Sequence, residues 1–142
     1  MNKILFQGGI NALSNMAAYA IEWDGEFWMT VEHAYQAMKF PAGPVQMQIK
    51  QAPSAYEAKR IADEHVTEIL PGWHERKLAV MEELVRLKFA QHEHIQKKLL
   101  STADAQIIED TDDAFWGRGP EGQGENNLGK LWMRLRAENG GE

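Results

Sequence analysis

The chain has 142 residues, of which 44% are hydrophobic and 25% charged, with a formal net charge of −6 and no cysteine. These values suit one domain with one core and exclude a disulfide scaffold, a thiolate metal site, a cysteine nucleophile and a broad basic surface for nucleic acid. No apolar run near the N-terminus is long enough for a signal peptide or a membrane span, so we expect a cytoplasmic protein with no membrane partner.

The first elements along the chain are a predicted hairpin and a helix. An Asp24-Gly25 pair between aromatic residues predicts a short β-hairpin within residues 18–30. Thr30 can cap a helix from about Val31 to Phe40, which Pro41 stops.

Further helices follow in the rest of the chain. Ser54 and Glu57 form a capping box, which predicts a helix through Ile69. The longest helix is predicted over about 73–91, with an apolar stripe at Leu78, Met81, Leu84, Val85 and Phe89. A shorter helix around 95–100, an extended segment over 106–109 and an ordered loop over 110–125 follow. The final helix is predicted to start at Asn126 or Asn127 and to end before Gly140, with Leu128, Leu131 and Leu135 facing inward. The fold class is therefore mainly α: a compact, single multihelical domain with a small β-hairpin and short strands.

One face of the first helix carries a polar constellation. Glu32, Gln36 and Lys39 are spaced by four and seven residues, and Tyr35 borders the face that they share. The Cα atoms of Glu32 and Lys39 would lie about 10 Å apart, so that both heads can bracket a small ligand. The alternative is a solvated face of paired charges. Aromatic neighbours such as Trp28 favour the ligand.

A loop near the C-terminus is rich in glycine. Five of the twelve glycines fall between residues 117 and 129, with a Gly-x-Gly-x-x-Gly pattern at 117, 119 and 122. No strong strand leads directly into this pattern and Pro120 stiffens it, which argues against a dinucleotide fold. Two interpretations remain open: a phosphate cradle at a helix N-terminus, or an Ω-like loop whose glycines permit positive φ.

Five histidines raise the question of a metal site. His92 and His94 are two residues apart, so their rings diverge on a helix, and His33 has no histidine four residues away. We expect solvated surface histidines, no metal and no cofactor.

Four separated motifs, in this order, resemble the NADAR family, whose members include YbiA-like N-glycosidases. They are Leu13-Ser14-Asn15-Met16, the segment Thr30 to Phe40, the spaced set Lys77, Met81 and Lys88-Phe89, and the segment from Phe115-Trp116-Gly117 to Leu128-Gly129-Lys130. The resemblance implies a single, mostly helical domain over residues 1–142 with its core at about 6–136.

The activity that the resemblance implies is hydrolysis of the bond between ribose C1 and a nitrogen. Two substrate classes are implied: an ADP-ribosylated guanine base or nucleotide, or a ribosylamino-pyrimidine phosphate intermediate of riboflavin synthesis. The first class includes an ADP-ribosylated base within nucleic acid, which would bind at a local cleft. The alternative is a module that binds ADP-ribose or a nucleotide without cleaving it.

The resemblance also assigns site residues. Glu32 matches the catalytic glutamate of the family, Lys39 matches a lysine proposed to form a Schiff base with the opened ribose, and Asp113 joins them in the catalytic group. The expected substrate-binding residues are Ser14, Asn15, Tyr35, Gln36, Trp73, Trp116, Gly117, Arg118, Gly119 and Asn126. Arg118 stands where some members have an acidic residue, and Met16 where an aromatic residue is usual. Because guanidinium binds phosphate oxygens in pairs, Arg118 would favour a doubly phosphorylated ligand.

Overall fold

Helices alternate with very short strands along residues 2–9 and 11–140, the part of the chain that the computed structural model describes. In chain order the elements are β1 (Lys3–Phe6), β2 (Ile21–Trp23), β3 (Glu26–Trp28), α1 (Val31–Ala37), α2 (Pro44–Lys50), α3 (Ala55–Glu64), a 3-10 turn (Val66–Glu68), α4 (Trp73–Gln91), α5 (Glu93–Leu100), β4 (Gln106–Glu109) and α6 (Asn127–Glu138). The mainly α prediction is confirmed.

Local capping starts two helices where the sequence predicts. The hydroxyl of Thr30 accepts from the N–H of His33 at 3.1 Å, and that of Ser54 accepts from the N–H of Glu57 at 3.1 Å. Both helices end earlier than predicted. The first stops at Ala37 rather than Phe40, and the second stops at Glu64 before the 3-10 turn rather than running through Ile69.

Two elements were not predicted. The strand β1 pairs in parallel with β4, from Lys3 opposite Gln106 to Phe6 opposite Glu109. The helix α2 begins at Pro44 without a side-chain cap. The predicted hairpin is confirmed as the antiparallel pair β2–β3.

The core surrounds α1, all seven residues of which are buried. On α4 the buried stripe includes Met81, Leu84 and Val85 as predicted, but Leu78 is 40% exposed and Lys88 is buried in the next turn. The inward prediction for Leu78 was therefore wrong. The Lys88 ammonium donates to the Ser14 carbonyl oxygen at 2.9 Å.

The histidine prediction was wrong for His33, which is fully buried. Its Nε2 lies 3.0 Å from the Ala52 carbonyl oxygen and its Nδ1 lies 2.8 Å from the Thr30 hydroxyl. A carbonyl needs a donor, so the ring carries its proton on Nε2, and burial lowers the pKa of His33. His92 is half-buried, because its Nε2 contacts the Ala20 carbonyl oxygen.

Among the residues that the structure describes, none of the helices combines the length and the apolar character needed to cross a membrane.

Candidate active site

A cavity of about 260 Å³ opens beside α1. Its walls come from the loop before the hairpin, from α1, α3 and α4, and from β4 with the loop that follows it. The lining residues are Asn15, Met16, Glu32, Tyr35, Gln36, Lys39, Lys59, Asp63, Met81, Glu109, Thr111, Asp113 and Trp116. The fold therefore brings the predicted Glu–Gln–Lys face of the first helix to a cavity rather than to open solvent.

The Glu32 carboxylate is buried in the first turn of α1. Its Oε2 accepts from the Gln36 amide at 2.6 Å, and its backbone N–H donates to the Asn15 carbonyl oxygen at 3.2 Å. Burial raises the pKa of Glu32, while the Gln36 amide and the nearby Lys39 ammonium oppose that rise. The N-terminal end of a helix also favours the charged form. The arrangement holds a poorly solvated carboxylate in a fixed orientation.

Lys39 follows the C-terminal end of α1 and is half-buried. Its Nζ lies 5.5 Å from the centroid of the Tyr35 ring. Burial lowers the pKa of Lys39, and the Glu32 carboxylate opposes that shift. The neutral amine, which is the nucleophilic form, is thus more accessible than on a solvated lysine.

Three aromatic side chains form one side of the cavity region. The Tyr35 ring lies 5.3 Å from Trp73 and 5.7 Å from Trp116, and the Trp116 indole N–H donates to the Tyr35 hydroxyl at 3.2 Å. Burial raises the pKa of Tyr35, so it remains a neutral hydroxyl. Of the three residues, Trp73 does not line the cavity but packs against the Tyr35 ring.

Asp113 lies at the rim of the cavity. Its Oδ1 accepts from the N–H groups of Phe115 and Trp116, both at 2.8 Å. One carboxylate oxygen of Asp113 thus stabilises the turn that places the Trp116 indole at the cavity.

A second lobe of about 190 Å³ continues from the first. The two lobes share Asn15, Met16, Glu32, Glu109 and Thr111. Ser14 lines only the second lobe, and its hydroxyl accepts from the Met16 N–H at 3.1 Å.

The cavity holds most of the buried side-chain polar atoms that lack a partner among the described residues. Four of the five such atoms are Asn15 Oδ1, Gln36 Oε1, Glu109 Oε1 and Thr111 Oγ1, and all four belong to lining residues. A buried polar atom without a hydrogen bond costs about 1–3 kcal/mol. A ligand with several polar groups would recover that free energy, which identifies this cavity as the candidate site.

Glu109 is the main lining residue that the sequence did not single out. It ends β4, and burial with the nearby Glu32 and Asp113 carboxylates raises its pKa to about 8. The only local signal is a carboxylate that ends the apolar pair Ile107-Ile108. Lys59 and Asp63, paired at 3.0 Å on α3, were also missed.

Five residues expected to bind substrate lie outside the lining of both lobes: Trp73, Gly117, Arg118, Gly119 and Asn126. Arg118 pairs with Asp110 at 3.4 Å and faces a separate surface pocket. The Asn126 amide clamps β4, accepting from the Glu109 N–H at 2.9 Å and donating to the Ile107 carbonyl oxygen at 2.9 Å.

The glycines of this loop serve close packing. A Cβ on Gly117 would lie 2.7 Å from the Glu109 carbonyl oxygen, and Gly119 has a φ of +74°. The first N–H groups of α6 are also taken, because Asn127 and Leu128 donate to the carbonyl oxygens of Phe115 and Trp116. The structure thus favours the Ω-like loop over the phosphate cradle.

Within residues 2–9 and 11–140, no group of three or more histidine, aspartate or glutamate side chains is arranged to bind a metal ion. The cavity instead offers an organic ligand several amide and hydroxyl groups, four carboxyl groups and two lysines; the charged residues are Glu32, Asp63, Glu109, Asp113, Lys39 and Lys59.

Comparison with known proteins confirms the resemblance. The NADAR domain model matches residues 7–138. The chain is 39% identical to N-glycosidase YbiA of Escherichia coli over 88% of this chain and 79% of that protein, and 34% identical to N-glycosidase Npun_R5314 of Nostoc punctiforme over 88% and 83%. It is 35% identical to riboflavin biosynthesis protein VVA0006 of Vibrio vulnificus, over 89% of this chain and 35% of that longer protein.

A solved structure is also similar. The NMR structure of E. coli YbiA superposes with a TM-score of 0.86 at 36% identity, covering 97% of this chain and 84% of that one. The chain belongs to the NADAR domain family.

Proposed function

We propose that this protein is an N-glycosidase that hydrolyses the bond between ribose C1 and a nitrogen. The observation that carries the proposal is the buried Glu32 carboxylate, held by Gln36 and sharing a cavity with Lys39 and with unpartnered polar atoms. Two relatives that bear the name N-glycosidase, aligned over 88% of the chain, support the same reaction class.

The chemistry fits these side chains. Cleavage of the C1–N bond develops positive charge on C1, which a desolvated carboxylate stabilises strongly. Glu32 can also take the proton of an attacking nucleophile. Lys39, whose pKa burial lowers, supplies an amine that can attack the C1 of the opened ribose and form an imine.

The substrate is proposed to be an ADP-ribosylated guanine base or nucleotide, or a ribosylamino-pyrimidine phosphate. The riboflavin biosynthesis relatives support the second class. The decisive assay incubates the protein with each compound separately and follows the released base and sugar by mass spectrometry. Release from one compound assigns the substrate. Saturable binding of ADP-ribose without release from either compound would instead identify a binding module.

Glu32→Gln tests the central carboxylate. The amide keeps the size of the side chain and removes its charge, so we expect kcat to fall at least about 100-fold while the thermal midpoint stays within a few degrees. Glu68→Gln is the matched control, because Glu68 is exposed on the 3-10 turn and should leave kcat unchanged. A Glu32→Gln variant that turns over at the wild-type rate would remove Glu32 from the mechanism.

A further inference from the structure

Glu109 is a further carboxyl group in the same cavity as Glu32, and neither the sequence motifs nor the expected chemistry uses it. It lies at the junction of the two lobes, each of which it lines together with Glu32. Its Oε1 is buried and has no hydrogen-bond partner within residues 2–9 and 11–140. The titratable groups that line the cavity with it are Glu32 and Tyr35 of α1, Lys39 just after α1, Lys59 and Asp63 of α3, Asp113 of the loop after β4, and Tyr56 in the second lobe.

The backbone around Glu109 is fixed on both sides. Its N–H donates to the Asn126 side chain at 2.9 Å, and its carbonyl oxygen accepts from the Arg118 N–H at 2.9 Å. Side chains placed by such a framework hold their geometry without reorganisation, as a catalytic group requires.

We propose that Glu109 is the general acid of the reaction, and that it donates its proton to the departing nitrogen at the junction of the two lobes. The proposal rests on the N-glycosidase function proposed above. It assigns complementary roles to two carboxyl groups, with Glu32 as the ionised partner of C1 and Glu109 as the proton donor.

The difference between the two environments supports this division. Glu32 has the Gln36 amide and the Lys39 ammonium to stabilise its negative charge. For Glu109, burial and the negative charges of Glu32 and Asp113 all raise the pKa, to about 8. When two interacting carboxyl groups share one proton, it resides on the group with less stabilisation of its charge. Among the described residues Glu109 lacks such a stabilising partner for its buried oxygen, so the shared proton is assigned to Glu109.

The proposed step is balanced. The C1–N bond breaks, its electron pair stays on the nitrogen, and the Glu109 proton forms the new N–H bond. Water bonds to C1 and loses its proton to Glu32. Where the Lys39 amine bonds to C1 instead, water then hydrolyses the resulting imine of the opened sugar, which releases the sugar and restores the amine. Glu109 is then a carboxylate and Glu32 a neutral acid, and exchange with water restores both.

The test compares wild type with Glu109→Gln on whichever N-riboside the wild type cleaves, between pH 6 and 9. We expect kcat of the variant at pH 7 to fall at least about 100-fold, with KM changed less than about threefold, because the amide keeps hydrogen bonding but has no proton to give. The wild-type rate should decline above about pH 8, and the variant should lack that decline. Asp112→Asn is the control, since Asp112 is exposed in the loop that follows β4 and does not line the cavity.

A second readout does not depend on activity. The native carboxyl retains its proton up to about pH 8, whereas an unfolded glutamate loses it near pH 4.5. Wild-type stability should therefore fall as the pH rises from 5 to 8. We expect the urea midpoint of Glu109→Gln to rise relative to wild type across this interval, and that of Asp112→Asn to follow wild type.

The outcomes separate the two proposals. If the wild type cleaves no N-riboside, the proposed function fails and this assignment fails with it. If the wild type is active but Glu109→Gln keeps its kcat, loses only binding, or shows a constant difference in urea midpoint between pH 5 and 8, the general-acid role alone is overturned.

Discussion

Single residues at the cavity have pKa values shifted away from their ordinary range by burial. Burial raises the pKa of Glu32 and Glu109 and lowers that of Lys39. Each such shift costs folding free energy, because the unfolded chain solvates the charged form. Several side chains with shifted pKa values, which lower the stability of the fold, are gathered in one cavity. Such a cluster is typical of a catalytic site and has no role in solubility.

Lys39 makes a specific chemical prediction at this scale. If its amine forms an imine with the opened ribose, borohydride added during turnover should reduce that imine and leave a stable adduct. Peptide mass mapping should place the added sugar mass on Lys39, and Lys39→Met should abolish it. Lys59→Met at saturating substrate is the control and should keep the adduct, because Lys59 lines the same cavity in an ion pair with Asp63. An active enzyme that never shows the adduct would indicate direct attack by water.

Among the elements, the crossing of β4 and α6 fixes the position of Glu109. Gly129 in α6 packs directly against β4: an added Cβ would overlap the Ile107 carbonyl oxygen and the Asn126 amide. The helix approaches the strand this closely because glycine has no side chain. Gly129 therefore contributes to the framework of the cavity and not to phosphate binding.

Gly129→Ala tests that contact. Alanine is favoured over glycine by about 1 kcal/mol within a helix, so any loss of stability must come from the overlap with β4. We expect the free energy of unfolding to fall by about 2–4 kcal/mol, measured by urea denaturation. Gly9→Ala is the control, because a Cβ there would lie no closer than 3.7 Å to the backbone of Met16. A stabilised Gly129→Ala variant would show that the two elements can separate at no cost.

Elements that a few adjacent residues specify were predictable from the sequence. Thr30 and Ser54 cap their helices through side chains, and Asp24-Gly25 adopts the positive φ angles of a tight turn. The strand β1 was missed because its partner lies about a hundred residues away, and α2 was missed because Gly43 offers no capping side chain. The sequence of a four-residue segment does not indicate that it pairs in parallel with a distant strand.

The same distinction applies to the candidate site. Glu32, Gln36 and Lys39 were predicted because helical periodicity places them on one face. Glu109 and Lys59 reach the cavity from β4 and α3, so only the tertiary packing identifies them. Arg118 and Asn126 lie in a recognisable motif, yet the structure shows one in a surface ion pair and the other as a clamp on β4.

Across the whole molecule, the net charge of −6 contrasts with the positive groups around the cavity. Lys39 and Lys59 line it, and Lys77 is close enough to lower the pKa of Lys39 electrostatically. Four carboxyl groups line the same cavity, so an anionic group of a substrate is favoured only beside these lysines, while the surface as a whole repels polyanions.

This distribution predicts which cation holds a phosphate group of the substrate. Lys59→Met should raise KM for a phosphorylated N-riboside about 10-fold, since a charge-assisted contact contributes about 1–2 kcal/mol, and it should leave the unphosphorylated riboside unaffected. Arg118→Met should leave both KM values unchanged, because Arg118 faces a separate pocket and pairs with Asp110. Raising the salt concentration should weaken the phosphorylated substrate only. If Arg118→Met instead produced the larger rise in KM, the phosphate would extend out of the cavity to the glycine-rich loop. Arg118, and not Lys59, would then be the cation that binds it.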